Sequence, residues 1–368
     1  MSVVFGLWLM HSDAVGVVDF PTLGDLLDAW YEQHCRVPAL ALRGQPFHQY
    51  DWQFWITANH YRVRDDAPDV PGVQLFNQAF VYRRTLAVAP QKTGKGPHEA
   101  VVAAGEACGP SLFGGWAKRG DVYDCADNGC PCGWYFEYEA GEPKGVRHPS
   151  PLIQLTATSQ EQVDNVYGPL VAMIHLGPLK GLLLPRENFI RIKGASGLPD
   201  MDKIEATTSS ALSRLGNPIS FAGQDESGTY TAQNKMRKVA ETQRRGAAGM
   251  GGRTMEYTNC WDPSENSVAQ STWESSQEDI FKFWRNPDLV LRTKDGLPLS
   301  FRDKRQRRKI LEYVYAGSAH VNLDSIEAEC AELLQTDPAQ AERFFGNRVV
   351  AGQGAWLPDG MWDAHVAS

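Results

Sequence analysis

The chain has 368 residues, a formal net charge of −8, 42% hydrophobic and 22% charged residues, and seven cysteines. That length allows one large domain or two smaller ones with an ample core, and the acidic balance excludes a global attraction to nucleic acid, so any DNA contact needs a local basic face. Irregularly spaced cysteines fit a reduced compartment better than a disulfide scaffold, and no stretch reaches the ~20 apolar residues that span a bilayer.

The N-terminal MSVVFGLWLMHSD is apolar but lacks a basic region and a small-residue cleavage site. It reads as a core strand or helix rather than a signal peptide, and a soluble, cytoplasmic chain is expected. Residues 21–43 predict an amphipathic helix, with Leu23, Leu26, Leu27 and Trp30 at helical spacing. A second helix, FHQYDWQFWITANHYRV, carries Trp52-Gln53. The Gln53 amide both donates and accepts, which is what reading an adenine edge requires; the plain alternative is a packed aromatic helix with one exposed glutamine. Residues 74–89 hold two apolar runs, VQLFNQAFVYR and TLAVA, read as strands or as one strand after a turn.

The run ends in Pro90-Gln91-Lys92-Thr93-Gly94-Lys95-Gly96, followed by the Ala/Val-rich HEAVVAAGEACG. The latter predicts a buried helix ending near Gly105 to Pro110. Strand, tight loop ending Gly-Lys, then helix is the setting of a phosphate-binding loop. Backbone N–H groups surround the phosphates, the helix N-terminus adds partial positive charge, and the lysine reaches the β/γ oxygens. In the pattern G-x-x-x-x-G-K-[ST], Ala89 takes the place of the first glycine and Gly96 that of the hydroxyl residue, so the usual Mg²⁺ ligand is missing. A surface turn with a solvated lysine is the alternative.

Residues 109–150 are irregular and turn-rich. They contain Cys125-x4-Cys130-x-Cys132, then a strand in WYFEYE. Three thiols in eight residues suit Zn²⁺ with a fourth ligand such as Cys108 or His148, although the spacing is not a common structural-zinc pattern. A hairpin with buried free cysteines is the other reading. PLIQLTAT predicts a strand, and Ser159 to Gln162 has capping-box spacing ahead of the helix VDNVYGPLVAMI. Residues 181–215 mix strand-like pieces such as NFIRIK with a Ser-rich segment.

PISFAGQDES predicts a short strand ending in Asp225-Glu226. An aspartate there can hold a metal through water, and a glutamate can polarise the attacking water. A basic helix over 229–245 and a glycine loop GAAGMGG lead to the strand RTMEYTN, which ends at Thr258-Asn259. At the carboxyl end of a strand in an open sheet, this pair is placed to sense a γ-phosphate, or is a simple strand exit. From about 275 the pattern turns to long polar helices without strands, predicting a small helical lid over 276–345. Within it, Lys304 to Lys309 (KRQRRK) is a DNA-facing, subunit-facing or merely solvated face.

Taken in order, the upstream DWQ, APQKTGKGP, LIQLTATSQEQVDNVY, GQDES and TNCWDPSENSVAQ resemble the ATPase part of tailed-phage terminase large subunits, the DNA-packaging motors. The tail FFGNRVVAGQGAWLPDGMWDA is similar to the linker before that family's nuclease domain. The resemblance implies a RecA/ASCE-like α/β ATPase core over 1–275, a helical lid over 276–345 and a linker over 346–368, with no nuclease activity from this chain. It implies ATP and Mg²⁺ as ligands, with Lys95 on the β/γ-phosphates and Pro90, Gln91, Lys92, Thr93, Gly94 and Gly96 forming the cradle. Asp225 would be the metal-site acid, Glu226 the catalytic base, Gln53 the adenine reader and Thr258-Asn259 the coupling motif. An arginine supplied by a neighbouring subunit, worth roughly 10³–10⁵ in rate, would be Arg214, with Arg84 second. Implied partners are double-stranded DNA, a portal protein, a small terminase subunit and further copies in a ring, in the host cytoplasm. A RecA-type helicase, or a non-catalytic DNA- or portal-docking module with a degenerate site, are the competing readings.

Overall fold

Thr22 opens the first helix: its hydroxyl accepts the Gly24 amide at 2.9 Å, and α1 runs over Gly24–His34. In the computed structural model, which describes residues 17–352 apart from 71–75, 188, 195, 197–200 and 209–217, α1 buries Leu26, Leu27 and Trp30. The helix expected to reach residue 43 ends at His34, because Cys35 turns extended and its amide closes on the Tyr31 carbonyl. The second helix, α2, spans Asp51–His60.

Of the two readings of 74–89, the described residues match one strand after a turn: Asn77–Ala79 is a single tight turn, and β1 (Arg84–Val88) is the strand. The helix α3 (Lys95–Cys108) follows the loop and ends within the expected range. An excursion comes next: β2 (Leu112–Trp116), β3 (Val122–Asp124), β4 (Tyr135–Glu137) and β5 (Pro143–Val146), paired as two small antiparallel ribbons, β2 with β5 and β3 with β4. The chain then returns through β6 (Leu152–Thr156) to α4 (Gln160–Leu176), whose amide at Gln162 is capped by the Ser159 hydroxyl as the spacing predicts. Strands β7 (Leu183–Pro185), β8 (Phe189–Ile192) and β9 (Lys203–Thr207) extend one side of the sheet.

Strand β10 (Phe221–Asp225) ends at the first acid of the expected pair. Helix α5 (Met236–Gly249) starts later than expected and takes in the first four residues of the expected glycine loop, with Ala247 packed on Ile219 and Ala222; the loop proper is Met250 to Gly252. Then come β11 (Arg253–Thr258), α6 (Val268–Glu274) and β12 (Ile280–Trp284). The last was not expected, because strand patterns were read as ending near 275. Its outer edge is half-buried and Lys282 satisfies the Trp273 and Ser275 carbonyls, so IFKFW lacks a clean alternation. Helices α7 (Pro287–Val290), α8 (Lys304–Val314), α9 (Leu323–Thr336) and α10 (Pro338–Phe344) pack round their own core of Phe301, Ile310, Leu311, Tyr315, Cys330 and Phe345.

Among the described residues one sheet of eight strands runs β12-β1-β11-β10-β6-β9-β8-β7, parallel from β12 through β9. This is the RecA/ASCE-like α/β architecture expected. Central strands covered on both faces would ordinarily be apolar throughout, but β11 buries Arg253 and Glu256. Each has its partners. Arg253 pairs with Glu106 at 2.8 Å and lies over the Tyr61 and Phe80 rings; Glu256 holds Arg84 and Arg244.

His98 on α3 is fully buried between the Tyr257 hydroxyl (2.8 Å), the Gln49 amide oxygen (2.8 Å) and the Thr57 hydroxyl (3.1 Å). Burial pushes its pKa down to about 3 from 6.5. Between those values the unfolded chain binds a proton that the folded chain refuses, so this group's share of stability falls as pH drops below 6.5. In His98→Asn the loss of unfolding free energy between pH 6.5 and 4 should be smaller than in the wild type, by on the order of 3 kcal/mol. Denaturant unfolding at a series of pH values checks this; identical slopes in both proteins would count against it.

Candidate active site

Strand β1 delivers the chain to Ala89, whose amide still bonds the Thr258 carbonyl of β11 at 3.1 Å. The loop then curls through Lys92 (φ 66°) and Gly94 (φ 98°), both left-handed, before α3 begins. A β-carbon at Gly94 would also stand 3.3 Å from the Gln53 amide nitrogen. Successive amides in such a turn, continuing into the N-terminus of a 14-residue helix, form an anion-binding concavity. Lys95 is buried, and its ammonium folds back to donate to the Ala89 carbonyl (2.9 Å), the Pro90 carbonyl (3.0 Å) and Asn259 Oδ1 (2.8 Å). Burial pulls its pKa down, opposed by Glu226 and Asp225. Thr93 donates to the Pro90 carbonyl at 2.9 Å, which braces the turn.

Gly96, where a hydroxyl residue was missed in the sequence, lies against α4: a β-carbon there would sit 2.4 Å from the Asn165 carbonyl oxygen. No side chain fits. The glycine is what lets α3 and α4 approach.

Asp225 is the last residue of β10, and Glu226 follows in a left-handed turn (φ 55°). Glu226 accepts from the Asn259 side-chain amide (3.0 Å to each oxygen) and from its backbone amide (3.2 Å). Thr258 accepts the Gly228 amide (2.9 Å) and donates to the Asn259 carbonyl (2.7 Å), locking the turn after β10 to the end of β11. Because β11 lies between β1 and β10, Asn259 touches both Lys95 and Glu226. One amide links the loop lysine to the acid.

The composition of β10, poor for a strand, has local causes. A β-carbon at Gly223 would meet Glu99 Oε1 at 2.2 Å, and Gln224 is held by Gln243, which also bonds Gln154 and Thr156. Glu99 was missed in the sequence, though it lies one helical turn beyond Lys95. It is fully buried, and neither carboxylate oxygen has a hydrogen-bond partner. Burial, then Asp225 and Glu226, raises its pKa. Asp225 is pushed up to about 7 by burial and by Glu226, with Lys95 opposing. Two buried acids and the half-buried Glu226 thus converge near one lysine.

Gln53 sits beside the loop, but its amide is engaged at both ends, donating to the Gly94 carbonyl (3.1 Å) and accepting the Tyr50 amide (2.9 Å). The lid grips the loop from above. Tyr315 donates to the Gln91 carbonyl (2.9 Å), His320 Nε2 donates to the Lys92 carbonyl (2.9 Å), and the Gln91 amide bonds the Phe344 carbonyl (2.9 Å). His320 also stacks on Tyr50. Arg214 lies outside the described residues. Arg84 is committed to Glu256 and Thr272 inside the core, so reaching a neighbouring subunit would break a buried ion pair. In KRQRRK, Arg307 is buried and Arg308 pairs with Glu312, Asp324 and Glu327, leaving Lys304, Arg305 and Lys309 exposed.

Far from the loop, Cys125, Cys130 and Cys132 do converge, but on His34 of α1 and not on either expected fourth partner. Cys108 donates back to the Ala104 carbonyl, and His148 accepts the Ser150 amide. Nothing in the local cysteine pattern points to a histidine about ninety residues earlier.

No protein-family profile matches the chain. It is 26% identical over 306 residues to the Gene 13 protein of Mycobacterium phage L5, covering 77% of this chain and 47% of that one. The Gene 13 protein of Mycobacterium phage D29 is 26% identical over 307 residues with the same coverage. The chain spans about half the length of these curated relatives. Among solved structures, the HK97 bacteriophage large terminase superposes with a TM-score of 0.58 at 17% identity, over 89% of this chain and 55% of that one.

Gly96→Ser should destabilise the fold by about 1–3 kcal/mol, without changing Mg²⁺ dependence, since the side chain has no room beside Asn165. Chemical denaturation alongside a Mg²⁺ titration of nucleotide affinity tests both halves. A stable variant with strengthened Mg²⁺ dependence would contradict the packing argument. The chain is thus built on the fold of a bacteriophage large terminase, over the part of that protein which it covers.

Proposed function

We propose that this chain binds Mg·ATP on the 90–96 loop and uses its hydrolysis to drive double-stranded DNA into a viral capsid. The observation that carries the reading is the Lys95–Asn259–Glu226 connection; the HK97 likeness in fold supports it. In this reading Lys95 exchanges its loop carbonyls for phosphate oxygens, and the loop amides and the N-terminus of α3 hold the remaining charge. Glu226, oriented by two amide donors from Asn259, takes a proton from the attacking water. Freed from Lys95, Asn259 changes its hold on Glu226, which couples the state of the loop to the base.

The acids fit a divalent cation. Burial holds Asp225 and the unpartnered Glu99 towards their neutral forms, a state that a nearby cation would reverse, and Mg²⁺ is characteristically held by one or two carboxylates with water and phosphates completing its shell. Asp225 would hold it, with no hydroxyl from position 96. When bound, Mg²⁺ neutralises charge on the β/γ oxygens. Assembly into a ring on a portal, with a small terminase subunit and an arginine in trans at Arg214, belongs to the same proposal.

Gly96 gives a second reading some force: a DNA- or portal-docking module with a degenerate nucleotide site. ATP binding by calorimetry with no phosphate release, even with DNA and at high protein concentration, would select it. A RecA-type helicase would instead separate forked DNA without any need for a portal.

Lys95→Ala should reduce ATP hydrolysis to background with the circular dichroism spectrum unchanged. Glu226→Gln should keep ATP affinity within a few-fold and lose turnover by roughly 10²–10⁴-fold, the usual contribution of a general base. Full turnover in Lys95→Ala, measured as phosphate release, would sink the proposal.

A further inference from the structure

We propose that the chain carries a structural zinc ion bound by His34, Cys125, Cys130 and Cys132, a site independent of the nucleotide chemistry. The four ligand atoms all lie within 4.8 Å of one another. His34 Nε2 is 3.4 Å from Cys125 Sγ, 3.5 Å from Cys130 Sγ and 3.4 Å from Cys132 Sγ. Zinc bonds of about 2.0 Å to nitrogen and 2.3 Å to sulfur, at a tetrahedral angle, put nitrogen and sulfur about 3.5 Å apart. All three edges agree with that figure.

Hydrogen bonding alone does not account for the arrangement. Nδ1 of His34 donates to the Trp30 carbonyl at 2.9 Å, so Nε2 carries a single lone pair. One lone pair accepts one thiol proton well, yet three sulfurs are equidistant from it. A cation at their centre uses every one. The Trp30 carbonyl also supplies the outer hydrogen bond that fixes a metal-binding imidazole in its tautomer, and the Trp30 ring stacks on His34 at 4.3 Å. The backbone is shaped for the cluster: Gly129 (φ 75°) and Gly133 (φ 76°) take left-handed turns on either side of Cys130 and Cys132, and the Cys130 amide closes on the Cys125 carbonyl at 2.9 Å.

A thiolate-rich tetrahedral set selects zinc over the hard cations Mg²⁺, Ca²⁺ and Mn²⁺. Four protein ligands leave no open position, so the ion is structural and not catalytic. Its work follows from the fold. The ribbon of β3 and β4 has three residues per strand, too few to stand alone, and the metal ties it to α1. The segment begins where α3 ends, about 20 Å along that helix from the phosphate loop, so the ion pins the excursion without touching the nucleotide site.

The full chain, purified without chelators from zinc-supplemented medium, should hold about one zinc per chain by plasma mass spectrometry. Zinc should be lost in Cys132→Ser and in His34→Ala. Cobalt(II) exchanged into the wild-type chain should give the intense visible bands of a tetrahedral thiolate site, a readout that needs no variant to fold. A strong chelator should lower the melting temperature of the wild-type chain. Substoichiometric zinc with no cobalt spectrum, zinc retained in both variants, or a disulfide among Cys125, Cys130 and Cys132 in the freshly purified protein would each overturn the proposal.

Discussion

Asn259 holds the candidate site together. Its side-chain amide accepts from the buried ammonium of Lys95 and donates to the carboxylate of Glu226, so two groups of opposite charge meet through a neutral residue. The arrangement depends on strand order, since only the strand between β1 and β10 can reach both ends. It also depends on Thr258, which fastens the turn carrying Glu226 to the end of β11. A buried charge stays ionised only when its partners are in place, which makes the amide a constraint on the lysine and the acid alike.

The surrounding carboxyls are held in a way that suits a ligand. Glu99 has no hydrogen-bond partner and Asp225 is held part-neutral near pH 7. An interior that was only structural would have little use for this. Arg253, in the same core, is by contrast well partnered: it takes Glu106, the His60 and Ser111 carbonyls and two aromatic faces. Glu99, with both carboxylate oxygens unpartnered, differs in this from Arg253.

The two ends of α3 answer to different constraints. At its N-terminus the lid closes on loop carbonyls through Tyr315 and His320, and Gly96 gives up a hydroxyl so that α4 can pack. At its C-terminus the chain leaves the sheet for two small ribbons, where three cysteines and His34 gather. Neither constraint can be inferred from the other, and the helix is the rigid spacer between them.

Features governed by neighbours in sequence were legible in advance. The Gly-Lys loop between strand and helix, the Ser159 cap, the end of α3, the acids at the end of β10 and the Thr-Asn after β11 all depend on local periodicity and turn chemistry. Where packing decided, the local pattern was insufficient. β12 was missed because its half-buried edge breaks alternation, α1 is shorter than its apolar spacing suggests because the chain must turn at Cys35, and the basic run of α8 is partly consumed by ion pairs with α9. The sequence by itself determined the order of the loop, the acids and the Thr-Asn pair and the elements that carry them, because those reside in short segments. Only the tertiary structure decided that Gly96 is forced by the Asn165 carbonyl, that Glu99 joins the acids and that His34 completes the cysteine cluster, because each requires two segments distant in sequence to meet at contact distance.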